Sequence, residues 1–285
     1  APWQSKLSIL ALLLFGTSGE ETLTLDLDGG GISGTGTLAI QTFIGNGADN
    51  HADHVVIQNV GSVAMGGIDA HANNGSNWSG ASSQPGNITI GTSGTPAGDV
   101  RVDYLYAQSG SDDGTVGKGR GHNVTVYGSG DVLIENGDGS VKGNIRTHTY
   151  TYDGGNVNIV HDGAFRAGEI LTWAYSGWSG GQVTPGTVTL NGGSGTGDLE
   201  VNTIDTHFNS TGYGDYTSGS DVAISNYANV IIDSILTYNN SNRHAGDVSV
   251  TGIKGDIDIT GSINLKSDAA DMGDLVLATG GGRGG

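Results

Sequence analysis

Nine times along the chain, two apolar residues recur with one residue between them and a glycine-rich turn close by. The first members of these pairs are Leu23, Val55, Ile88, Val124, Val157, Val188, Val222, Val248 and Leu275. The second members lie two positions on, from Leu25 to Leu277, and successive pairs are 26 to 36 residues apart. Alternation with a period of two marks a strand with one buried face. A strand this short cannot bury that face alone. Recurrence at a nearly fixed spacing supplies the partner, because each apolar residue can land on its counterpart one repeat away.

Further apolar residues divide each repeat. Second pairs stand at Val63/Met65, Val132/Ile134, Val230/Ile232 and Ile257/Ile259, and, after longer turns, at Leu38/Ile40, Val100/Val102 and Leu199/Val201. A third apolar position follows at Phe43, Ile68, Leu105, Ile170, Ile204, Ile235 and Ile263. The repeat that starts at Val124 fits least well, with its third strand displaced to about Ile145. The expected fold is all-β: a right-handed parallel β-helix, or β-solenoid, of about eight coils of 26–36 residues with three short strands per coil. The hand follows from the crossover rule for parallel strands. No segment has a 3.6-residue period, so helix is not expected outside an N-terminal cap.

One turn column supports this register. Thr22, His54, Asn87, Asn123, Asn156, Thr187, Asp221, Asp247 and Asp274 precede the nine first strands, and stacked Asn, Asp and Thr satisfy backbone groups at turns. Before them stand Gly86, Gly155, Gly186, Gly246 and Gly273, read as a bend that needs a positive φ.

Composition agrees with a narrow core. Hydrophobic residues are only 35%, and 53 glycines occur beside 4 prolines. Eleven basic against 29 acidic residues give a net charge of −18, which excludes nucleic acid and argues against an anionic membrane surface. With no cysteine there is no disulfide framework. The apolar run from Leu7 to Phe15 is too short to insert across a membrane. Residues 1–21 read either as a signal-peptide remnant or as an N-terminal cap. Residues 22–285 read as a single β-helix domain, part of a longer repeat chain.

The stretch "GDVSVTGIKGDIDITGSINLKSD", residues 246–268, resembles the repeat region of large bacterial extracellular β-solenoid proteins such as the filamentous-haemagglutinin-type adhesins. The resemblance runs from about Leu23 to Leu277. It implies a secreted or cell-surface protein with a structural or adhesive role, assembling end to end into a filament or matrix. Its partners would be copies of itself or neighbouring repeats, and surface glycans.

Chemistry has few footholds. The outward residues between the first-strand pairs are Thr24, Val56, Thr89, Thr125, Asn158, Thr189, Ala223, Ser249 and Val276, without a carboxylate. On the second strands, Arg101, Leu133, Glu200, Ile231 and Asp258 read as too scattered for a site. No catalytic residue is assigned, and the alternative is a polysaccharide-binding or polysaccharide-cleaving β-helix. Asp49, His51, Asp53 and His54 are ligand types for zinc, but a polar turn with no metal is the preferred reading and no metal site is assigned. No cofactor is expected; calcium is the ion that the acidic turns at 25–31, 111–114 and 136–139 suit. The candidate ligand-binding residues are aromatics in the long closing loops: Trp78, Trp173, Tyr175, Trp178, Tyr213 and Tyr216. Exposed among Asn and Ser they suit stacking on sugar rings. Folding back over the flank of the rod is the competing role, for them and for Phe208.

Overall fold

The computed structural model describes residues 12–13, 21–34, 38–42, 51–72, 84–109, 120–149, 153–176, 183–210, 219–240, 243–268 and 271–280. Among them there is no helix, and strand pairs within the sheets are parallel. The chain is a parallel β-solenoid of about six turns. Six successive turns, from Val55 to Ile235, bury all five of their inward side chains.

The first sheet has nine strands, from Thr22–Asp26 to Leu275–Thr279. Its register sets Leu23, Val55, Ile88, Val124, Val157, Val188, Val222, Val248 and Leu275 in one column, as the repeat predicts. The second sheet has thirteen strands and holds the second and third strands of each coil. One of its columns runs Val63, Val100, Val132, Phe165, Leu199, Val230, Ile257. The other runs Ile40, Ile68, Leu105, Ile145, Ile170, Ile204, Ile235, Ile263. From Phe165–Leu171 onward the two strands fuse into one, because no turn separates them.

Two assignments need correcting. In the first coil, Ile32 rather than Leu38/Ile40 is the second-strand residue, since Ile32 pairs with Val63 and Ile40 with Ile68. That strand is only Ile32–Ser33, too short for period-two alternation to be read, and Phe43 lies outside the described residues. The glycines before the first strands also serve another purpose. None of Gly86, Gly155, Gly186, Gly246 and Gly273 has a positive φ; the left-handed residues include Asn59, Gly91 and Asn226, just after first strands, and Gly252 near the end of one. What Gly86, Gly155, Gly186, Gly246 and Gly273 provide is close approach. A Cβ at Gly186 would fall on the carbonyl oxygen of Gly155, one coil away.

The turn column forms a hydrogen-bonded ladder. The backbone N–H of Asn123 donates to Asn87 Oδ1 at 2.9 Å, that of Asn156 to Asn123 Oδ1 at 2.8 Å, and that of Thr187 to Asn156 Oδ1 at 2.9 Å. Asp247 and Asp274 repeat the pattern on Asp221 and Asp247. Beside it runs a column of buried threonines that the sequence reading did not single out. The hydroxyls of Thr42, Thr147, Thr172, Thr206 and Thr237 donate to the carbonyls of Asp53, Gly155, Gly186, Ser220 and Gly246 at 2.5–2.9 Å. Each bond ties a third strand to the corner that starts the next coil.

Candidate functional site

A solenoid built from equivalent coils shows its special places as departures from the repeat. The clearest departure is in the coil of Val124. After Val132–Ile134 the chain makes a hairpin-like turn before resuming as Ile145–Arg146. Glu135 and Lys142 form an isolated antiparallel bridge, Asn136 N–H donates to the Val141 carbonyl at 3.0 Å, and Gly139 takes φ +70°. Such a turn needs a residue that tolerates the left-handed region, and "NGDG" supplies glycine there.

Charged side chains bolt this turn to the second sheet. Glu135, 2% exposed, accepts from Arg166 Nη1 at 2.8 Å and pairs with Arg101 Nη2 at 3.3 Å. Arg166 Nε reaches Glu200 at 2.9 Å, and Lys142 Nζ reaches the same carboxylate at 2.8 Å. The hydrogen bond from Lys142, then the neighbouring cations, hold the Glu200 carboxyl below its ordinary range against the opposing effect of burial. Arg101 Nη1 also donates to the Gly137 carbonyl at 3.2 Å. Arg101 and Glu200 are therefore not scattered, as their spacing suggested. Arg166, in the same outward column, joins them together with Glu135 and Lys142 of the inserted turn, across four coils.

Between the turn and the coils before it lies a groove of about 510 Å³, lined among others by Ala64, Met65, Arg101, Asp103, Gly137 and Asp138. Asp138 is tied down: Ser140 donates its backbone N–H to Oδ1 at 2.9 Å, and hydrogen bonding to Ser140 lowers its carboxyl pKa. Asp103 differs. Its backbone is fixed by a 2.6 Å bond to the Gly66 carbonyl, yet no hydrogen bond or ion pair reaches its carboxylate from the described residues. Burial pushes its pKa up. The stacked neighbours of Asp103 in this column are Gly66 and Gly143, so the fold demands no side chain at that place.

Of the aromatics predicted to bind a ligand, Trp78, Trp178, Tyr213 and Tyr216 lie outside the described residues. Trp173 and Tyr175 are half-buried. Trp173 stands in a ladder of rings along one flank, stacked between His148 at 4.3 Å and His207 at 5.8 Å, with Tyr238 stacked 4.6 Å beyond His207. Asp205 Oδ1, 2.5 Å from His207 Nδ1, fixes that ring. The strands Ala174–Ser176 and Phe208–Ser210 pair alongside, and Phe208, Ala174 and Val183 form a small second core. Phe208 thus covers the flank instead of projecting from it.

Two of the metal-binding candidates are engaged in hydrogen bonds within the fold. His54 Nδ1 accepts the Asn87 N–H at 2.8 Å, and Asp26 accepts from Asn59 and Gln58, whose hydrogen bonds lower its pKa. Asp49 and residues 111–114 lie outside the described residues. Among those described, no group of three or more His, Asp or Glu is arranged to hold a metal ion.

The C-terminal end is the other irregular surface. Val248 and Val250 are buried, whereas Leu275, Val276 and Leu277 in the next rung are 45%, 49% and 45% exposed. The strand Ile257–Asn264 at the edge of the second sheet is likewise only partly covered. No helix among the described residues is long and apolar enough to cross a membrane. No protein-family model, curated protein or solved structure matches this chain.

Proposed function

We propose that this chain is an extracellular structural or adhesive solenoid whose coils continue from one molecule into the next. Its nine recurring pairs count as eight coils, wound right-handed, and a ninth rung that starts another. The observation that carries the reading is the exposed rung Leu275–Thr279. Leu275 and Leu277 stand in columns that are buried in the preceding turns, and among the described residues no further strand pairs with the outer edge of this rung. An uncovered parallel edge of this kind is a template for one more strand.

A second copy suits that edge. Its strand Thr22–Asp26 runs in the same direction, with Leu23 and Leu25 half-buried on the inward side, and would set them over Leu275 and Leu277. Opposing this is a net charge of −18, with Glu21 near one end and Asp274 at the other. Association should therefore strengthen with salt, which screens like charges beyond about 8–10 Å at 0.1–0.15 M.

Sedimentation velocity and electron microscopy over a range of concentration and salt test this. Rods lengthening with both are expected, and Leu277→Lys, which sets an ammonium in the apolar column, should abolish them. A chain that stays monomeric at millimolar concentration in high salt sinks the proposal.

A further inference from the structure

The groove beside the inserted turn has the make-up of a binding site that the assembly reading does not use. Three features bear on its ligand. Asp103 presents a carboxylate without a partner among the described residues, at a column position flanked by glycine on both sides. Keeping such a group partly out of water costs stability and adds no bond to the fold, the pattern expected of a group held for a ligand. Arg101, 39% exposed, lines the groove and is anchored by Glu135 and the Gly137 carbonyl, which use two of its five N–H donors. Ala64 and Met65 add apolar surface beside the polar Ser33 and Asn136, and about 510 Å³ falls within the range of small-molecule sites.

We propose that this groove binds a neutral, hydroxyl-rich ligand, a short segment of uncharged saccharide, with Asp103 accepting its hydroxyls and Arg101 donating to its oxygens. Asp138 supplies a second acceptor, since Ser140 engages only one of its carboxylate oxygens strongly. The charge pattern selects against the alternatives. Two carboxylates in a chain of net charge −18 repel uronates, sulfates and phosphates. A metal ion lacks a ligand set of three or more acidic or imidazole groups among the described residues. The ion network from Arg101 through Glu135 and Arg166 to Glu200 holds the wall in place before any ligand arrives, which reduces the ordering cost of binding.

The test is an amide-resonance titration of the full chain carrying Leu277→Lys, so that assembly plays no part. The probes are cellotetraose and maltotetraose, with tetragalacturonate as the anionic comparison. At least one neutral tetramer should shift the amides of Asp103, Gly137 and Asp138 saturably, while the uronate leaves them in place. Asp103→Ala should weaken that binding about tenfold or more without lowering the melting temperature, because its carboxylate bonds to nothing among the described residues. Asp138→Asn should weaken it several-fold and serves as the second variant. The proposal is overturned if neither neutral tetramer shifts these amides, if the uronate binds as tightly, or if both variants bind unchanged.

Discussion

An imidazole enclosed in an apolar rod makes folding sensitive to acid. His161 is 1% exposed, donates or accepts a 2.9 Å bond with the Tyr227 hydroxyl, and lies against Phe165. Burial depresses its pKa from 6.5 to about 4. Between these values the unfolded chain takes up a proton that the folded chain refuses. The stability His161 contributes is thus fully present above about pH 6.5 and is lost as pH falls toward 4, to a total of about 3 kcal/mol. In His161→Gln the amide can keep the bond to Tyr227 but does not titrate. Urea melts at pH 7 and pH 4 should show an acid-dependent loss smaller by that amount in the variant; equal losses would refute the assignment. The buried threonines make a second point at this scale. Thr172→Val preserves shape but removes the donor to the Gly186 carbonyl, at a cost of about 1–2 kcal/mol. The same change at half-buried Thr92, whose hydroxyl bonds only within its own turn, should cost less than half as much.

Among the elements, the first sheet was legible in the sequence, whereas the second was legible only where its strands are long enough to alternate. Val157-Asn158-Ile159 states its pattern in three residues, and eight similar phrases fix the register. Ile32–Ser33 states nothing of the kind, and the fused strand Phe165–Leu171 hides its break behind Ala167 and Gly168, both inward or buried. The turn at Glu135–Lys142 announced itself only as a poor fit. Its meaning came from pairing across coils, which no local pattern encodes: Glu135 meets Arg166, 31 positions away, because one rung separates them. The same distance in sequence hid Asp103, whose isolation is a property of the glycines stacked on it. Because Glu135 is buried between two guanidinium groups that are 34% and 39% exposed, Glu135→Ala should destabilise the chain by about 2 kcal/mol. Glu200, at 39% exposure, should cost less than 1 kcal/mol on the same change. Thermal melts of the two variants decide it; equal effects would mean that the network does not anchor the turn.

At the level of the whole molecule, each turn is held by the turns on either side, so stability is a sum of neighbour terms and the ends are its weakest part. The core shows this gradient directly. Inward residues from Val55 to Ile235 are at most 3% exposed, Ile257, Ile259 and Ile263 are half-buried, and Leu275 and Leu277 are near half exposed. Amide exchange in a monomer should follow the same order. The amides of Leu275–Thr279 should open without global unfolding, exchanging on the order of a hundredfold or more faster than those of Val157–Val160, which wait for the core to open. Association changes only the end. If the exposed rung is a docking edge, raising concentration and salt slows exchange at Leu275–Thr279 and at Thr22–Asp26 together, because one interface covers both, while Val157–Val160 keeps its rate. Leu277→Lys should erase that concentration dependence and leave the central rate unchanged. Protection that rises at one end alone would mean that like ends meet, and no rise at either end would mean that both rungs stay open to water at every concentration.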